Sequence, residues 1–136
     1  KDEEKTQAAF AGGWFHSGDL ATIDDEGFIT VVDRKKDMIK TGGENVASRE
    51  VEEMIYRLPE VSEVAVIGLP DPKWVEAVTA VVVVKAGQEL TEAQVIAHCN
   101  AHMATFKAPK RVIFTDQLPK NPSGKLLKRQ LRQTFV

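Results

Sequence analysis

Two runs of β-branched residues constrain the fold of this chain more than any other feature. They span residues 64–69 and 77–84, and the turn-forming sequence PDPK at residues 70–73 separates them. Runs rich in Val and Ile favour β-strands, and Pro and Asp favour turns. We therefore predict that the two runs pair as the central strands of a sheet.

Helix signals lie on both sides of these strands. Ser48 is the predicted N-cap of a helix that ends before Pro59, because Ser caps helices and Pro disfavours helical backbone in the residue before it. A second helix is predicted from Thr91, where the sequence TEAQ has the spacing of a capping box. The predicted buried positions of the two helices are Val51, Met54, Ile55 and Leu58, and Val95, Ile96, Cys99 and Met103.

Shorter elements complete the predicted order. A hairpin is expected over residues 21–32 with its turn at residues 24–27, then a short strand at residues 38–40 that ends at two glycines. Another strand is expected at residues 111–114 and a last helix from about Lys125 to Thr134. This order predicts a small α+β domain in which a short central sheet is flanked by helices and preceded by a β-hairpin.

Composition limits the classes of protein to consider. The formal net charge of the 136 residues is −2, which gives no overall attraction to nucleic acid. One cysteine cannot form an internal disulfide, and no apolar run approaches the roughly 20 residues that cross a bilayer. A cytoplasmic protein without a transmembrane segment is the expectation.

The last thirty residues are basic, and they contain a loop that is a candidate binding or catalytic site. Beyond Phe106 the sequence has eight Lys and Arg residues and one acid, Asp116. The loop NPSGK at residues 121–125 places Lys125 near the expected start of the last helix, where free backbone N–H groups could bind an anion together with the lysine. Spacing alone favours an ordinary polar loop and a solvated basic helix face.

Other polar groups are weaker candidates. Asp19 follows a glycine and could accept the hydroxyls of a ribose, and Arg34 could bind a phosphate. The charge run at residues 33–37 has no apolar anchor and is expected to be an exposed joint. His98 and His102 have a spacing that could hold zinc with Cys99 nearby, but no Glu completes a His-Glu-x-x-His motif, so no metal site is predicted.

Three motifs in order resemble those of the adenylate-forming superfamily, which contains acyl-CoA synthetases, luciferases and peptide-synthetase adenylation domains. They are GWFHSGDL at residues 13–20, DRKKDMIKTGGENV at residues 33–46 and LPKNPSGK at residues 118–125. The resemblance spans nearly the whole chain and is strongest to the C-terminal lid domain of bacterial fatty acyl-CoA synthetases. It implies that Lys125 is functional, whereas spacing alone favours an ordinary polar loop at residues 121–125.

The resemblance implies a role for each candidate. In the family, a carboxylate and ATP form an acyl-adenylate, and CoA then displaces AMP after the C-terminal domain has reoriented. Lys125 would be the catalytic lysine of the first step, Asp19 and Arg34 would bind the nucleotide, and Lys36 would be the hinge. The CoA channel of the second step would be formed by Lys40, Thr41, Gly42, Gly43 and Glu44.

The sequence departs from the family pattern at three positions. Lys36 stands where some members have Asp, and Ser17 stands where Thr is usual. Glu44 stands where some members have a basic residue that reaches the CoA phosphate, so recognition of the nucleotide end of CoA is left open.

The resemblance also implies what lies outside this chain. Residues 1–33 would be a remnant of the large N-terminal adenylation domain, and residues 34–136 would be the lid. ATP and CoA would be co-substrates, and Mg²⁺ is expected in the full-length enzyme but not bound by this fragment, which alone is expected to be inactive. Residues 1–33 could then self-associate through aromatic residues that lack their partner: Phe10, Trp14, Phe15 and Phe28.

Two alternatives remain at this point. The chain could be the lid of an adenylation domain that loads a carrier protein, which would use the same lysine. It could also be a non-enzymatic interaction module whose basic C-terminal helix binds an acidic partner.

Overall fold

The computed structural model describes residues 2–136, which form two compact units. The first unit ends at Lys36 and the second runs from Asp37 to Val136. Arg34, the last residue of the strand Ile29–Arg34, lies in the first unit, and the 3₁₀ turn that follows it contains the boundary.

The first unit contains a helix and a two-stranded hairpin. No apolar periodicity in the sequence predicts helix α1 (Glu3–Ala9). The Asp2 side chain caps this helix by accepting a hydrogen bond from the backbone N–H of Lys5. Strands β1 (Asp19–Ile23) and β2 (Ile29–Arg34) pair antiparallel, which confirms the predicted hairpin.

The second unit contains the predicted α+β fold. Its elements are β3 (Ile39–Thr41), β4 (Glu44–Val46), α2 (Ser48–Ile55), β5 (Val61–Asp71), β6 (Val75–Val84), α3 (Glu92–His102), β7 (Arg111–Phe114) and α4 (Lys128–Phe135). The strand order is β4-β3-β6-β5, and β7 pairs parallel with β6 beyond the point where β3 ends. The predicted central pair is confirmed, since β5 and β6 pair antiparallel over almost their full lengths.

Helices cover the sheet on both faces, which explains why the central strands are continuously apolar. One face packs with α2 and α3 through a core that includes Val66, Val82 and Val95. Neighbouring residues of the same strands point to the other face, where Ile67 and Val81 pack with Leu131 of α4. None of the helices in the part of the chain that the structure describes is long and apolar enough to cross a membrane.

Two local predictions are wrong, and each has a physical reason. Ala47 precedes α2 as the N-cap, because the Ser48 hydroxyl accepts a hydrogen bond from Lys128 Nζ instead of capping the helix. Helix α4 begins at Lys128 rather than near Lys125, because Leu126 forms an isolated antiparallel bridge with Lys120. The capping box at Thr91 is confirmed.

The charge run at residues 33–37 is also more ordered than predicted. Asp33 is buried at the end of β2, and its carboxylate accepts from the backbone N–H of Arg34 at 2.7 Å. Asp37 is largely buried through an ion pair with Arg132 of α4, at 3.0 Å. Arg34, Lys35 and Lys36 are the exposed members of this run, and both lysines lie in the 3₁₀ turn Lys35–Asp37.

Candidate functional site

The two predicted nucleotide-binding residues lie side by side in the first unit. Asp19 and Arg34 are cross-strand partners of β1 and β2, and Arg34 Nε lies 2.9 Å from Asp19 Oδ1. The backbone turns at Gly18, which has a φ of 78° and whose carbonyl accepts from the Lys35 N–H. The pair is half-exposed, so a carboxylate and a guanidinium are presented together to solvent.

Lys36 lies where the two compact units meet in sequence. It is an exposed residue of the 3₁₀ turn Lys35–Asp37, and the unit boundary falls directly after it. Its neighbour Asp37 is held in the second unit by Arg132. The chain is therefore exposed at Lys36, whereas the next residue, Asp37, is fixed by its ion pair with Arg132.

The predicted CoA-channel residues form a tight hairpin between β3 and β4, which we call the glycine hairpin (residues 39–46). Gly42 and Gly43 occupy the turn with φ values of 57° and 87°. Glu76 Oε2 accepts from the Lys40 N–H at 2.7 Å, and the Trp74 carbonyl accepts from the Gly42 N–H at 2.8 Å. These two bonds attach the hairpin to the start of β6.

Gly42 is required by contact as well as by backbone conformation. A Cβ atom at this position would lie 3.0 Å from Cε3 of the Trp74 ring. The indole thus packs directly on the turn of the glycine hairpin.

Two lysines that no local sequence pattern connects with the site lie over the Trp74 ring. The ammonium groups of Lys73 and Lys110 lie 4.9 Å and 5.4 Å from the indole ring centroid. Burial lowers the pKa of Lys110, and the charge of Lys73 lowers that pKa further. Neither lysine has a carboxylate partner among residues 2–136, so this patch, Lys73-Trp74-Lys110, suits an anion that carries an aromatic or apolar group.

Only the fold brings this patch together. Lys73 and Trp74 belong to the turn before β6, and Lys110 precedes β7, which pairs with β6. The 36-residue separation of Trp74 and Lys110 in sequence left no local signal.

Lys125 lies at the end of a short loop that one side chain organises. Asn121 Oδ1 accepts from the Lys125 N–H and from the Ser123 hydroxyl, both at 2.8 Å. The Asn121 N–H donates to the Lys125 carbonyl, which closes the loop. Lys125 is exposed and precedes α4 by three residues, so it does not belong to the helix N-terminus as predicted.

The Lys125 loop (residues 121–125) and the glycine hairpin join the sheet at different places. Lys120, which precedes the loop, forms an ion pair with Glu63 near the start of β5. The glycine hairpin instead bonds to Trp74 and Glu76 at the other end of the β5–β6 pair. The second unit therefore places two separate groups of candidate residues at opposite ends of the β5–β6 pair.

The histidine pair makes protein contacts of its own. His98 Nε2 lies 3.1 Å from the Met54 carbonyl, and His102 Nδ1 lies 2.8 Å from the His98 carbonyl. Across the described range 2–136, no group of three His, Cys, Asp or Glu residues could hold a metal ion. The Cys99 thiol is buried, and burial raises its pKa to about 11.

Known proteins resemble this chain over nearly its whole length. It is 50% identical over 132 residues to the long-chain-fatty-acid–CoA ligase FadD13 of Mycobacterium tuberculosis, and these residues cover 97% of this chain and 26% of that protein. It is 48% identical over 132 residues to a feruloyl-CoA synthase of Amycolatopsis, again 97% of this chain and 27% of the relative. The chain thus spans about a quarter of the length of these relatives.

The fold agrees with the sequence matches. The crystal structure of ATP-bound MatB from Rhodopseudomonas palustris matches with a TM-score of 0.91 and 44% identity, over 99% of this chain and 27% of that one. A family model described as the AMP-binding enzyme C-terminal domain matches residues 50–125, more than half of the chain. The chain belongs to the family of AMP-binding enzyme C-terminal domains.

Proposed function

We propose that this chain is the C-terminal domain of an ATP-dependent, AMP-forming acyl-CoA synthetase. In the first step, a carboxylate oxygen of the acid attacks the α-phosphorus of ATP, and pyrophosphate leaves. In the second step, the thiol of CoA attacks the carbonyl carbon of the acyl-adenylate, and AMP leaves. The products of both steps are acyl-CoA, AMP and pyrophosphate.

One observation carries this proposal: the second unit holds two separate groups of functional residues on a single sheet. Lys125 lies on the side of Glu63, and the glycine hairpin lies at the opposite end of the β5–β6 pair. A domain that serves two successive steps at one nucleotide needs two such groups and a joint that lets it turn. Lys36, exposed at the boundary of the compact units, is that joint in our proposal.

Lys125 is the residue of the first step in this proposal. Attack of a carboxylate on a triphosphate brings anions together, so an ammonium group that touches both lowers the barrier. Loss of one such preorganised group typically slows the reaction by about 10²–10³-fold. The Asn121 bonds hold the backbone of Lys125 while the side chain remains exposed, as this role requires.

The glycine hairpin serves the second step. Lys40, Thr41, Gly42, Gly43 and Glu44 form its turn and flanks, and the absence of side chains at the two glycines lets a thin pantetheine arm approach the backbone. The patch Lys73-Trp74-Lys110 adjoins this turn and offers an indole face and two cations to the phosphorylated nucleotide of CoA. These lysines supply the charge that Glu44 does not.

Asp19 and Arg34 act on the nucleotide that both steps share. The Asp19 carboxylate accepts hydrogen bonds from the ribose hydroxyls, and the Arg34 ion pair at 2.9 Å orients the carboxylate. Residues 1–33 are, in this proposal, part of the larger N-terminal domain, which is the partner of residues 34–136. The exposed rings of Phe10, Trp14 and Phe15 then pack on that domain rather than on a second copy of this chain.

The relatives favour CoA over a carrier protein as the acceptor. FadD13 of Mycobacterium tuberculosis and the feruloyl-CoA synthase are both named as CoA-forming enzymes, and a 2-succinylbenzoate–CoA ligase of Bacillus cereus is 44% identical over 131 residues. These names cover three different acids at similar identities. The residues that choose the acid therefore lie in the larger domain, although the 50% identity to FadD13, the highest of these three, favours a fatty acid. We further propose that the whole enzyme uses Mg²⁺ with ATP and is cytoplasmic.

A chimera tests the proposal. This chain replaces the 26% of FadD13 that it matches, and the two half-reactions are measured separately: acyl-AMP formation from ATP, and conversion of premade acyl-AMP with CoA. We expect Lys125→Ala to slow the first half-reaction by about 10²–10³-fold and to spare the second. The isolated chain of 136 residues is expected to catalyse neither.

A matched variant controls for loss of positive charge. Arg129→Ala removes an exposed cation four residues from Lys125 and should leave both half-reactions unchanged. If Lys125→Ala behaves like Arg129→Ala, the proposed role of Lys125 is wrong. If the chimera forms acyl-CoA but Gly42→Ala does not slow the second half-reaction, the role of the glycine hairpin is wrong.

A further inference from the structure

Lys128 stands at an electrostatically unfavourable position for a cation. It is the first residue of α4, and the sequence of the first turn, KRQL, contains no acid. The backbone dipole of a helix already places positive charge at its N-terminus, so a lysine there opposes it. A compensating partner must come from elsewhere in the fold.

That partner is a nearly buried cluster. Lys128 Nζ lies 2.7 Å from Glu52 Oε1 and 2.7 Å from Ser48 Oγ, both on α2. The side chains of Lys128 and Glu52 are only 13% and 15% exposed. Glu52 Oε1 also accepts from the Val66 N–H at 2.8 Å, so the cluster joins α4, α2 and the central strand β5.

The cluster lies three residues beyond Lys125, at the C-terminal side of the Lys125 loop. On the N-terminal side, Lys120 pairs with Glu63 of β5. One helical turn further along α4, Arg132 pairs with Asp37. The loop is therefore held at both ends, and its C-terminal attachment is the more deeply buried of the two ion pairs that flank it.

We propose that Lys128 is a positioning residue for the adenylation step: its bonds to Glu52 and Ser48 fix the start of α4 and thereby the place at which Lys125 meets the nucleotide. This proposal rests on the proposed function of Lys125. Lys128 itself touches no substrate, since its ammonium group faces into the protein.

The same geometry predicts which step depends on Lys128. The glycine hairpin is held by its own bonds, from the Lys40 N–H to Glu76 and from the Gly42 N–H to the Trp74 carbonyl. Neither bond involves α4. Loss of the cluster should therefore displace Lys125 and leave the CoA channel in place.

The test uses the FadD13 chimera and the same two half-reactions. Lys128→Met leaves a nearly buried carboxylate without its cation and risks unfolding, so the double variant Lys128→Met with Glu52→Gln is measured beside it. Gln keeps an oxygen for the Val66 N–H and removes the orphaned charge. We expect the double variant to form acyl-AMP about 10- to 100-fold more slowly, because displacement of a reacting group by about 1 Å has effects of this size.

Rescue and selectivity separate positioning from mere stability. Lys128→Arg keeps a cation that can reach Glu52 and should retain most of the acyl-AMP formation. Conversion of premade acyl-AMP to acyl-CoA should be nearly unchanged in the double variant and in Lys128→Arg. Arg57→Met, which removes an exposed cation just beyond the end of α2, is the control and should affect neither step.

Three results would overturn the inference. An equal loss in both half-reactions indicates a structural role only, and unchanged acyl-AMP formation in the double variant indicates no role at all. Loss of acyl-AMP formation in Lys128→Arg equal to that in the double variant would exclude the ion pair as the cause. Failure of the proposed function itself is distinct, because then Lys125→Ala would already leave acyl-AMP formation intact.

Discussion

Val75 is the residue whose replacement should stabilise the protein most clearly. It lies at the start of β6 with a φ of 70°, and it is the only residue besides glycines with a positive φ in the described chain. This left-handed region crowds the Cβ atom of any L-residue, and branching at Cβ makes the crowding worse. Val75→Gly removes the Cβ and should relieve the strain.

The magnitude follows from three contributions. The left-handed conformation costs an L-residue about 1–2 kcal/mol, and a β-branched residue belongs at the upper end. Val75 is 71% exposed, so its removal forfeits roughly 0.4 kcal/mol of apolar burial. Glycine adds flexibility to the unfolded chain, which costs about 0.5–1 kcal/mol. The net gain is about 1 kcal/mol, which corresponds to a rise in Tm of about 4–8 °C for a unit the size of residues 37–136.

Thermal unfolding of the 136-residue chain, followed by circular dichroism, measures this gain. Two further substitutions at the same site isolate its cause. Val75→Asn should also raise Tm, because Asn tolerates the left-handed region, whereas Val75→Thr keeps the β-branch and should leave Tm nearly unchanged. A Thr variant as stable as the Gly variant, or a Gly variant no more stable than the parent, would refute the argument from backbone strain.

Three further predictions concern single residues of the second unit. Thr41→Val should raise the free energy of unfolding by about 1 kcal/mol in urea titrations, because the buried Thr41 hydroxyl has no hydrogen-bond partner in the described structure; no gain would mean that the hydroxyl is satisfied. Gly42→Ala should lower the free energy of unfolding by about 1–2 kcal/mol because of its positive φ, and by more because of the contact with Trp74. This loss of stability should be larger than that in Gly87→Ala, where φ is also positive but the space around the residue is open. The raised pKa of Cys99 favours the folded protein below pH 9, and this contribution should be lost as the pH rises from 9 to about 11. The free energy of unfolding of the parent protein should therefore fall more steeply over that pH range than that of Cys99→Ala. Parallel pH dependences of the two proteins would contradict this prediction.

The sequence predicted well wherever one local pattern decided the structure. The valine-rich runs could only be buried strands, and the spacing of Thr91 and Gln94 was enough for a capping box. Helix α2 followed from its apolar stripe, of which Val51 and Ile55 are fully buried. These features depend on contacts between residues that are near in sequence or on simple burial.

The failures arose where a specific contact overrode the simplest local preference. Ser48 has the chemistry of an N-cap, but a lysine 80 positions later takes its hydroxyl. Asp33 looked like part of an exposed charge run and is instead buried within a hairpin strand. The start of α4 moved from Lys125 to Lys128 because Leu126 bridges to Lys120. The partner of Ser48 lies far outside any local window of sequence, and the other two contacts, although local, leave no apolar period that marks them.

Side-chain hydrogen-bond acceptors explain how exposed segments could be precise enough for chemistry. Loop backbones lack the ladder of partners that strands provide, so their N–H groups need acceptors from elsewhere. Here side-chain oxygens supply them: Glu76 binds the Lys40 N–H, Asn121 binds the Lys125 N–H, and Asp71 Oδ1 binds the N–H groups of Lys73 and Trp74. Each of these acceptors holds a segment to which we assign a function, and none of them need touch a substrate. Replacing such an acceptor by a residue of similar volume without the oxygen should therefore impair one step while the apolar core, which the acceptors do not enter, keeps the domain folded.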